Sequence, residues 1–341
     1  MWPLHRRGAN LGYAVELDRT FPTTAAAQST WNAGEPVFLP GMLGASPTQF
    51  AAPIQTCLRM FDRLRAGDRF VDELQRRLDD DQNLRYGGSK VDRTDPREVE
   101  RVFVDAEVQG QVVANDLWAK LAWIANAEND RSLRIRFSAG KDQIEAWMQA
   151  TDLTAGWVDQ YAQRAFPECG AILGCRRLRD LLAILIPRPH RLSERILYNN
   201  APGGGAVFHH DAEPGQLGVC FCQLEGHTAW LSLSKRRLAK LLVRTHFVKT
   251  MTAAMAALDQ NDDAALVRWL NRDATFTAHL AAHGALFVLQ AGDTILLPSH
   301  GIDEVAWHSV VALGQRPSLA HSYGLFPRQP DYAMAASGND E

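Results

Sequence analysis

From Arg195 to Leu325 the chain breaks into short apolar runs separated by turn residues, and this punctuation constrains the fold more than any other feature. Arg195–Tyr198, Ala206–Asp211, Gly218–Leu224, Thr228–Leu233, Ala285–Leu289, Thr294–Leu297, Trp307–Leu313 and Leu319–Leu325 have the length and composition of strands. Asn199–Gly205 is a glycine-rich turn, and Glu225-Gly226 fits a hairpin between two of the runs. Residues 235–284 carry helical spacing instead. Many short strands with regular turns predict a jelly-roll barrel rather than βαβ units.

The first half reads differently. Residues up to about 30 form an irregular lead-in, and Glu35–Leu43 is a short strand closed by Pro40-Gly41. Gln49–Asp79 has apolar residues three and four apart, the mark of a helix. Leu84–Lys90, with Gly87-Gly88, reads as a loop, and Arg97–Ala127 as a further helix. In Ser132–Phe137, Leu133, Ile135 and Phe137 alternate with Arg134 and Arg136, as in a half-buried strand. Residues 141–165 and Leu178–Ile186 are helix candidates, the second stopped by Pro187 and Pro189. The expected architecture is a mainly β core, a double-stranded β-helix of jelly-roll or cupin type, with a substantial helical N-terminal part. Its divisions are 1–194, mostly helical and packed on the core; 195–326, the barrel with its helical insertion 235–284; and 327–341, a polar tail.

Composition narrows the function. A formal net charge of -3 argues against broad binding to polynucleotides or anionic membranes. The five cysteines are odd in number, and Cys220-x-Cys222 lacks the spacing of a metal knuckle, so no disulfide framework or zinc site is expected. The start, with Arg6-Arg7 but no apolar run behind them, is a poor signal peptide, and a reducing cytoplasm is the expected compartment.

The run at Phe208-His209-His210-Asp211 carries chemistry. On a strand, residues i and i+2 point the same way, so His209 and Asp211 reach one interior point while His210 faces the other side. A histidine from a neighbouring strand would complete two imidazoles and one carboxylate, a set that holds one face of an Fe(II) ion and leaves the other open. Trp307-His308 supplies His308, and His300 is its competitor from the preceding loop. His279 and His283 have i,i+4 spacing without the glutamate of a zinc-protease motif, and read as a helix face. His321 is placed on the barrel interior.

These segments resemble the JmjC-type, cupin-fold Fe(II)/2-oxoglutarate oxygenases. The likeness rests on Gly205–Asp211, on Phe221–Leu231 with Gln223 and Gly226 in its hairpin, on Ala291–Pro298, and on Trp307-His308-Ser309-Val310. Glu35–Gly41 is similar to that family's entry segment. The resemblance implies Fe(II) held by His209, Asp211 and His308, which are then also the catalytic set, with 2-oxoglutarate and O2 as co-substrates. Two departures stand out. Thr228 occupies the place where a lysine often pairs with the distal carboxylate of 2-oxoglutarate, so Thr228, Tyr198 and Arg195 become the candidate co-substrate contacts. The segment 299–306 is also longer than usual.

The implied activity is hydroxylation of an amino acid or natural-product-like small molecule. A protein side chain is the other substrate class. The competing readings are a cupin-fold metalloenzyme independent of 2-oxoglutarate and a non-catalytic cupin-like binding module.

Overall fold

A computed structural model describes residues 1–15, 19–125, 130–140, 152–260 and 263–328. The strands, in chain order, are β1 (Trp2–Arg6), β2 (Ala9–Ala14), β3 (Val37–Leu39), β4 (Leu84–Lys90), β5 (Glu98–Val108), β6 (Gln111–Trp123), β7 (Leu133–Ala139), β8 (His190–Asn200), β9 (Gly218–Glu225), β10 (His227–Ser234), β11 (Leu286–Gln290), β12 (Thr294–Pro298), β13 (Ala306–Leu313) and β14 (Ser318–Pro327).

A nine-stranded sheet runs in the order β3-β12-β9-β14-β8-β7-β6-β5-β4, and a small sheet in the order β11-β10-β13. Neighbours in both pair antiparallel. The segment before Asp211 extends the small sheet. Residues 203–209 exchange backbone hydrogen bonds with β13, from Gly203 N–H to the Ala312 carbonyl through to His209 and His308, which bond each other at 2.8 and 3.0 Å. Only a glycine fits one step of this run. Gly205 sits at φ +125°, and a Cβ there would stand 2.4 Å from the Val310 carbonyl oxygen.

The two sheets face each other. Val219, Phe221, Ile295, Leu297 and Ala320 from the large sheet meet Trp230, Leu289, Ala306 and Val310 from the small one. Helices cover both outer faces. Those of the first half, Ala51–Ala66, Asp152–Ala165 and Arg176–Leu185, pack Phe61, Tyr161 and Leu178 against Phe137, Leu197 and Tyr323 of the large sheet. The insertion helices Lys235–Arg244, Met251–Gln260, Ala264–Arg272 and Ala274–Ala282 pack Leu238, Leu258, Leu266 and Phe276 against Leu231, Leu286 and Val311 of the small sheet. The result is a mixed α/β architecture around a jelly-roll-like core, without closure into a barrel among the described residues. No helix among them is long and apolar enough to cross a membrane.

Several expectations for the first half need correction. The lead-in contains the hairpin β1–β2, turned by Arg7 and Gly8 with positive φ, and the helix Thr24–Asn32. The loop expected at Leu84–Lys90 is strand β4, whose Gly87-Gly88 marks a bulge in its pairing with β5. The helix expected over Arg97–Ala127 is the hairpin β5–β6, turned by Gln109 and Gly110 with positive φ. Its alternation was masked because two of the buried positions on β5 are charged, Glu98 and Glu100. Glu98 is paired with Arg101 and Lys120, and Glu100 accepts from the Val71 N–H. The region 1–194 is thus rich in strands as well as helices. Of the helix expected over 141–165, the part 141–151 lies outside the described residues, and Asp152–Ala165 is helical.

Candidate metal centre

His209, Asp211 and His308 converge. One ligand atom from each lies within 4.8 Å of the others. His209 Nε2 stands 3.2 Å from Asp211 Oδ1, and His308 Nε2 stands 3.6 Å from Asp211 Oδ2. Two ligand atoms bound to one ion at about 2.1 Å and at right angles lie about 3 Å apart, so this spacing fits a single ion.

The fold sets each side chain. Residues 203–209 bring His209 alongside β13, and Asp211 follows two residues later. On β13 the alternation that puts Ala306 and Val310 between the sheets puts His308 there too. The His308 ring stacks on Trp230 of β10 at 5.2 Å and 18°, which fixes its plane. His209 donates its Nδ1–H to the Val207 carbonyl at 2.7 Å. That bond leaves Nε2 as the ring nitrogen that faces Asp211, the usual way a ligating imidazole is oriented.

The electrostatics suit cation binding. Burial opposes charge on Asp211, but His308 and His209 more than offset it and hold its carboxyl well below the usual range. Burial and the neighbouring His209 push His308 down to about 3. Burial also pulls His209 down, but Asp211 outweighs it and the net shift is upward. At neutral pH Asp211 is ionised and His308 carries a free lone pair, as metal ligation requires.

The other histidines lie elsewhere. His210 packs its ring against Trp307 at 5.3 Å and accepts from the Ala212 N–H, away from the cluster. His300 makes its hydrogen bond with the Trp31 carbonyl at 3.0 Å and does not join Asp211. His321, expected inside the barrel, faces the helical layer, where it meets Glu168 at 3.6 Å. A bulge between Ser322 and Gly324 shifts the register of β14 on β8, while Ser322 and Gly324 themselves reach the cavity.

The cluster lies in a cavity of about 880 Å³. Of the three candidate co-substrate contacts, Tyr198 lines it. Thr228 does not. Its hydroxyl donates to Gln223 Oε1 at 2.8 Å and accepts from Trp230 Nε1 at 3.1 Å, sealed between the sheets. Arg195 points to the opposite face of the large sheet, where it meets Asp159 at 3.4 Å and lies over the Tyr323 ring. Strand alternation explains this, since Ile196, Tyr198 and Asn200 face the cavity and Arg195 must face away.

The cavity also holds two arginines that the sequence placed only on the polar face of a half-buried strand. Arg134 and Arg136 of β7 line it beside Tyr198 and Ile196, their partners across the β7–β8 pair. Their alternation with Leu133, Ile135 and Phe137 was legible. The missing information was that β7 joins the large sheet next to β8, so that the polar face of β7 continues the cavity wall.

No protein-family model and no curated protein matches the chain. Among solved structures, similar folds include the non-heme alpha ketoglutarate dependent epimerase SnoN from nogalamycin biosynthesis, at 12% identity and TM-score 0.35, over 93% of this chain and 91% of that one. A 2OG-Fe(II) oxygenase family oxidoreductase from Burkholderia pseudomallei aligns at 9% identity and TM-score 0.35, over 93% and 96%. The ribosomal oxygenase YcfD from Escherichia coli aligns at 14% identity and TM-score 0.29, over 78% of this chain and 44% of that one. At such scores the likenesses decide nothing about activity, and the functional case stands on the side chains of the site.

Proposed function

We propose that the protein is a non-haem Fe(II)- and 2-oxoglutarate-dependent oxygenase that hydroxylates a small molecule. The observation that carries this reading is the convergence of His209, Asp211 and His308 on one point of a roomy cavity. This donor set suits Fe(II) with open coordination positions. Its host is proposed to be a double-stranded β-helix over 195–326, with 235–284 inserted.

When bound, Fe(II) with 2-oxoglutarate supplies the oxidising chemistry: O2 is consumed, the co-substrate leaves as succinate and CO2, and one oxygen atom enters a substrate C–H bond. The chain's own residues do the rest. Asp211 brings negative charge, and the Val207 carbonyl and the Trp230 ring hold the two imidazoles in place. Phe221, Trp230 and Ile196 give the cavity apolar walls that orient a substrate and exclude water. The volume exceeds what 2-oxoglutarate needs, which leaves room for a substrate of amino-acid size or larger.

The test is an anaerobic titration with Fe(II) and then 2-oxoglutarate. The expected result is a visible charge-transfer band that disappears in His209→Ala, Asp211→Ala and His308→Ala and persists in His300→Ala. Iron binding without that band would remove 2-oxoglutarate from the reading. One observation favours this second outcome: Thr228 is committed to Gln223 and Trp230, and no lysine lines the cavity among the described residues. The enzyme would then be a cupin-fold metalloenzyme whose organic substrate meets the metal directly.

A further inference from the structure

The cavity face of β5, β6 and β7 is a ladder of cations. Across these strands Arg101 pairs with Lys120 and Lys120 with Arg136, and Arg134 lies two residues before Arg136 on the same face. Like charges side by side on neighbouring strands repel, so such a ladder needs counter-charges. Most of it has them. Arg101 bonds Glu98 at 2.8 Å, and Lys120 bonds Asp95 and Glu98, each at 3.0 Å. Two further arginines on the cavity wall are likewise paired, Arg97 with Asp95 and Arg7 with Asp130. Arg136 has the charge of Glu213 near it.

Arg134 is the exception. Among the described residues it makes no hydrogen bond and no ion pair, although it is half-buried and lines the cavity. It lines the same cavity as His209, Asp211 and His308. It stands toward one side of the cavity, because β7 lies beyond β8 in the large sheet, three strands from β9, whose Val219 and Phe221 meet the small sheet. A group bound there approaches His209 and Asp211 from the flank, over the apolar surface of Ile196 and Tyr198.

We propose that Arg134 binds the carboxylate of the primary substrate, so that the molecule oxidised is a small organic acid with an apolar body. This rests on the oxygenase reading above and narrows its substrate class. The guanidinium suits the task because its fork of N–H donors matches the two oxygens of a carboxylate. The ligand would also supply the counter-charge that the ladder lacks at this one rung.

The test uses the full chain loaded with Fe(II) and 2-oxoglutarate under anaerobic conditions, with calorimetric titration of 3-phenylpropionate and its neutral amide as probes. The acid is expected to bind the wild type at least about tenfold more tightly than the amide, the scale of one charge-assisted contact. Arg134→Gln should abolish that preference, and Arg134→Lys should keep part of it. The 2-oxoglutarate affinity, read from the charge-transfer band, should stay within about twofold in both variants. Melting curves establish that the variants are folded. Equal affinity of acid and amide for the wild type overturns the proposal, as does failure of either to bind at about 10 mM, where even the weakest specific contact registers. A preference that survives in Arg134→Gln overturns it too. Selective loss of 2-oxoglutarate binding in Arg134→Gln would reassign Arg134 to the co-substrate. If the wild type gives no charge-transfer band at all, the oxygenase reading fails separately. The acid–amide comparison is then made on the chain with Fe(II) alone, and the same outcomes decide the role of Arg134.

Discussion

Single side chains decide how the cavity divides its work, and Thr228 is a sharp case. Sequence order places it where a co-substrate contact is expected, yet its hydroxyl bridges Gln223 Oε1 and Trp230 Nε1 inside the core. The Gln223 amide in turn donates to the backbone carbonyls of Glu225 and Leu319. Thr228 therefore holds Trp230, and Trp230 holds His308. Thr228→Val keeps the shape and removes the hydroxyl, leaving a buried indole N–H and a buried amide oxygen short of partners. The expected cost is about 1–3 kcal/mol of unfolding free energy. The affinity for 2-oxoglutarate should change by less than about twofold, since the hydroxyl does not reach the cavity. Denaturant unfolding and the charge-transfer titration measure the two. A large loss of 2-oxoglutarate affinity at unchanged stability would restore Thr228 as a direct contact. For Arg195 the same alternation that revealed the H-x-D pair was sufficient to exclude it. Ile196 and Tyr198 share one face of β8, and Arg195 lies on the other.

At the scale of elements, what could be read from the sequence depended on whether apolar alternation was intact. The runs that form β9, β10, β12 and β13 are bounded by clear turn signals, and their positions follow from the sequence. The hairpin β5–β6 was not legible because Glu98 and Glu100 occupy buried positions. Their ion pairs with Arg101, Lys120 and Arg69 exist only once the strands and the neighbouring helix are assembled. The segment of the candidate metal site is an intermediate case. His209 and Asp211 stand out as a motif, but the run that carries them is held by long-range bonds to β13 and not by regular strand geometry. Gly205 is the hinge of that arrangement. In Gly205→Ala the added Cβ meets the Val310 carbonyl oxygen at 2.4 Å and the backbone is strained at φ +125°. The segment 203–209 must then lift from β13, which separates His209 from His308. The expected result is a loss of about 1–3 kcal/mol in stability together with at least about a tenfold weaker Fe(II) affinity. Metal titration against a control in the helix Asp152–Ala165, Gly156→Ala, checks it, since nothing lies within 4 Å of a Cβ at Gly156 and its φ is not positive.

Across the whole molecule the large sheet separates two polar regions of opposite character. Its inner face carries the cavity with the candidate metal ligands His209, Asp211 and His308. Its outer face, under the helices, encloses His321, Glu168, Arg195, Tyr161 and Tyr323. In this second cluster both oxygens of Glu168, both ring nitrogens of His321 and both tyrosine hydroxyls make no hydrogen bond among the described residues. The His321–Glu168 separation of 3.6 Å is an ion-pair distance too long for a hydrogen bond. Such groups couple the helical layer to β14, and they make the coupling pH-sensitive. Burial depresses the His321 pKa below its ordinary 6.5, with Glu168 opposing the shift and Arg195 adding to it, while Tyr323 stacks on the ring. Because the folded pKa is the lower one, the unfolded chain binds a proton below about pH 6.5 that the folded chain refuses. Stability is therefore full above that pH and falls as the solution is acidified. His321 contributes no more than about 1.4 kcal/mol per pH unit to that slope. The depressed carboxyl of Asp95, at about 2, acts in a separate window, since its contribution is lost only below the ordinary aspartate value of 3.8. His321→Gln should lower stability at pH 7.5 through lost packing, yet flatten the decline between pH 6.5 and 5. Denaturant midpoints of the two proteins, measured across that range, give the comparison. Parallel pH profiles would show that His321 titrates alike in the folded and unfolded chain, and that the cluster plays no part in the acid sensitivity of the fold.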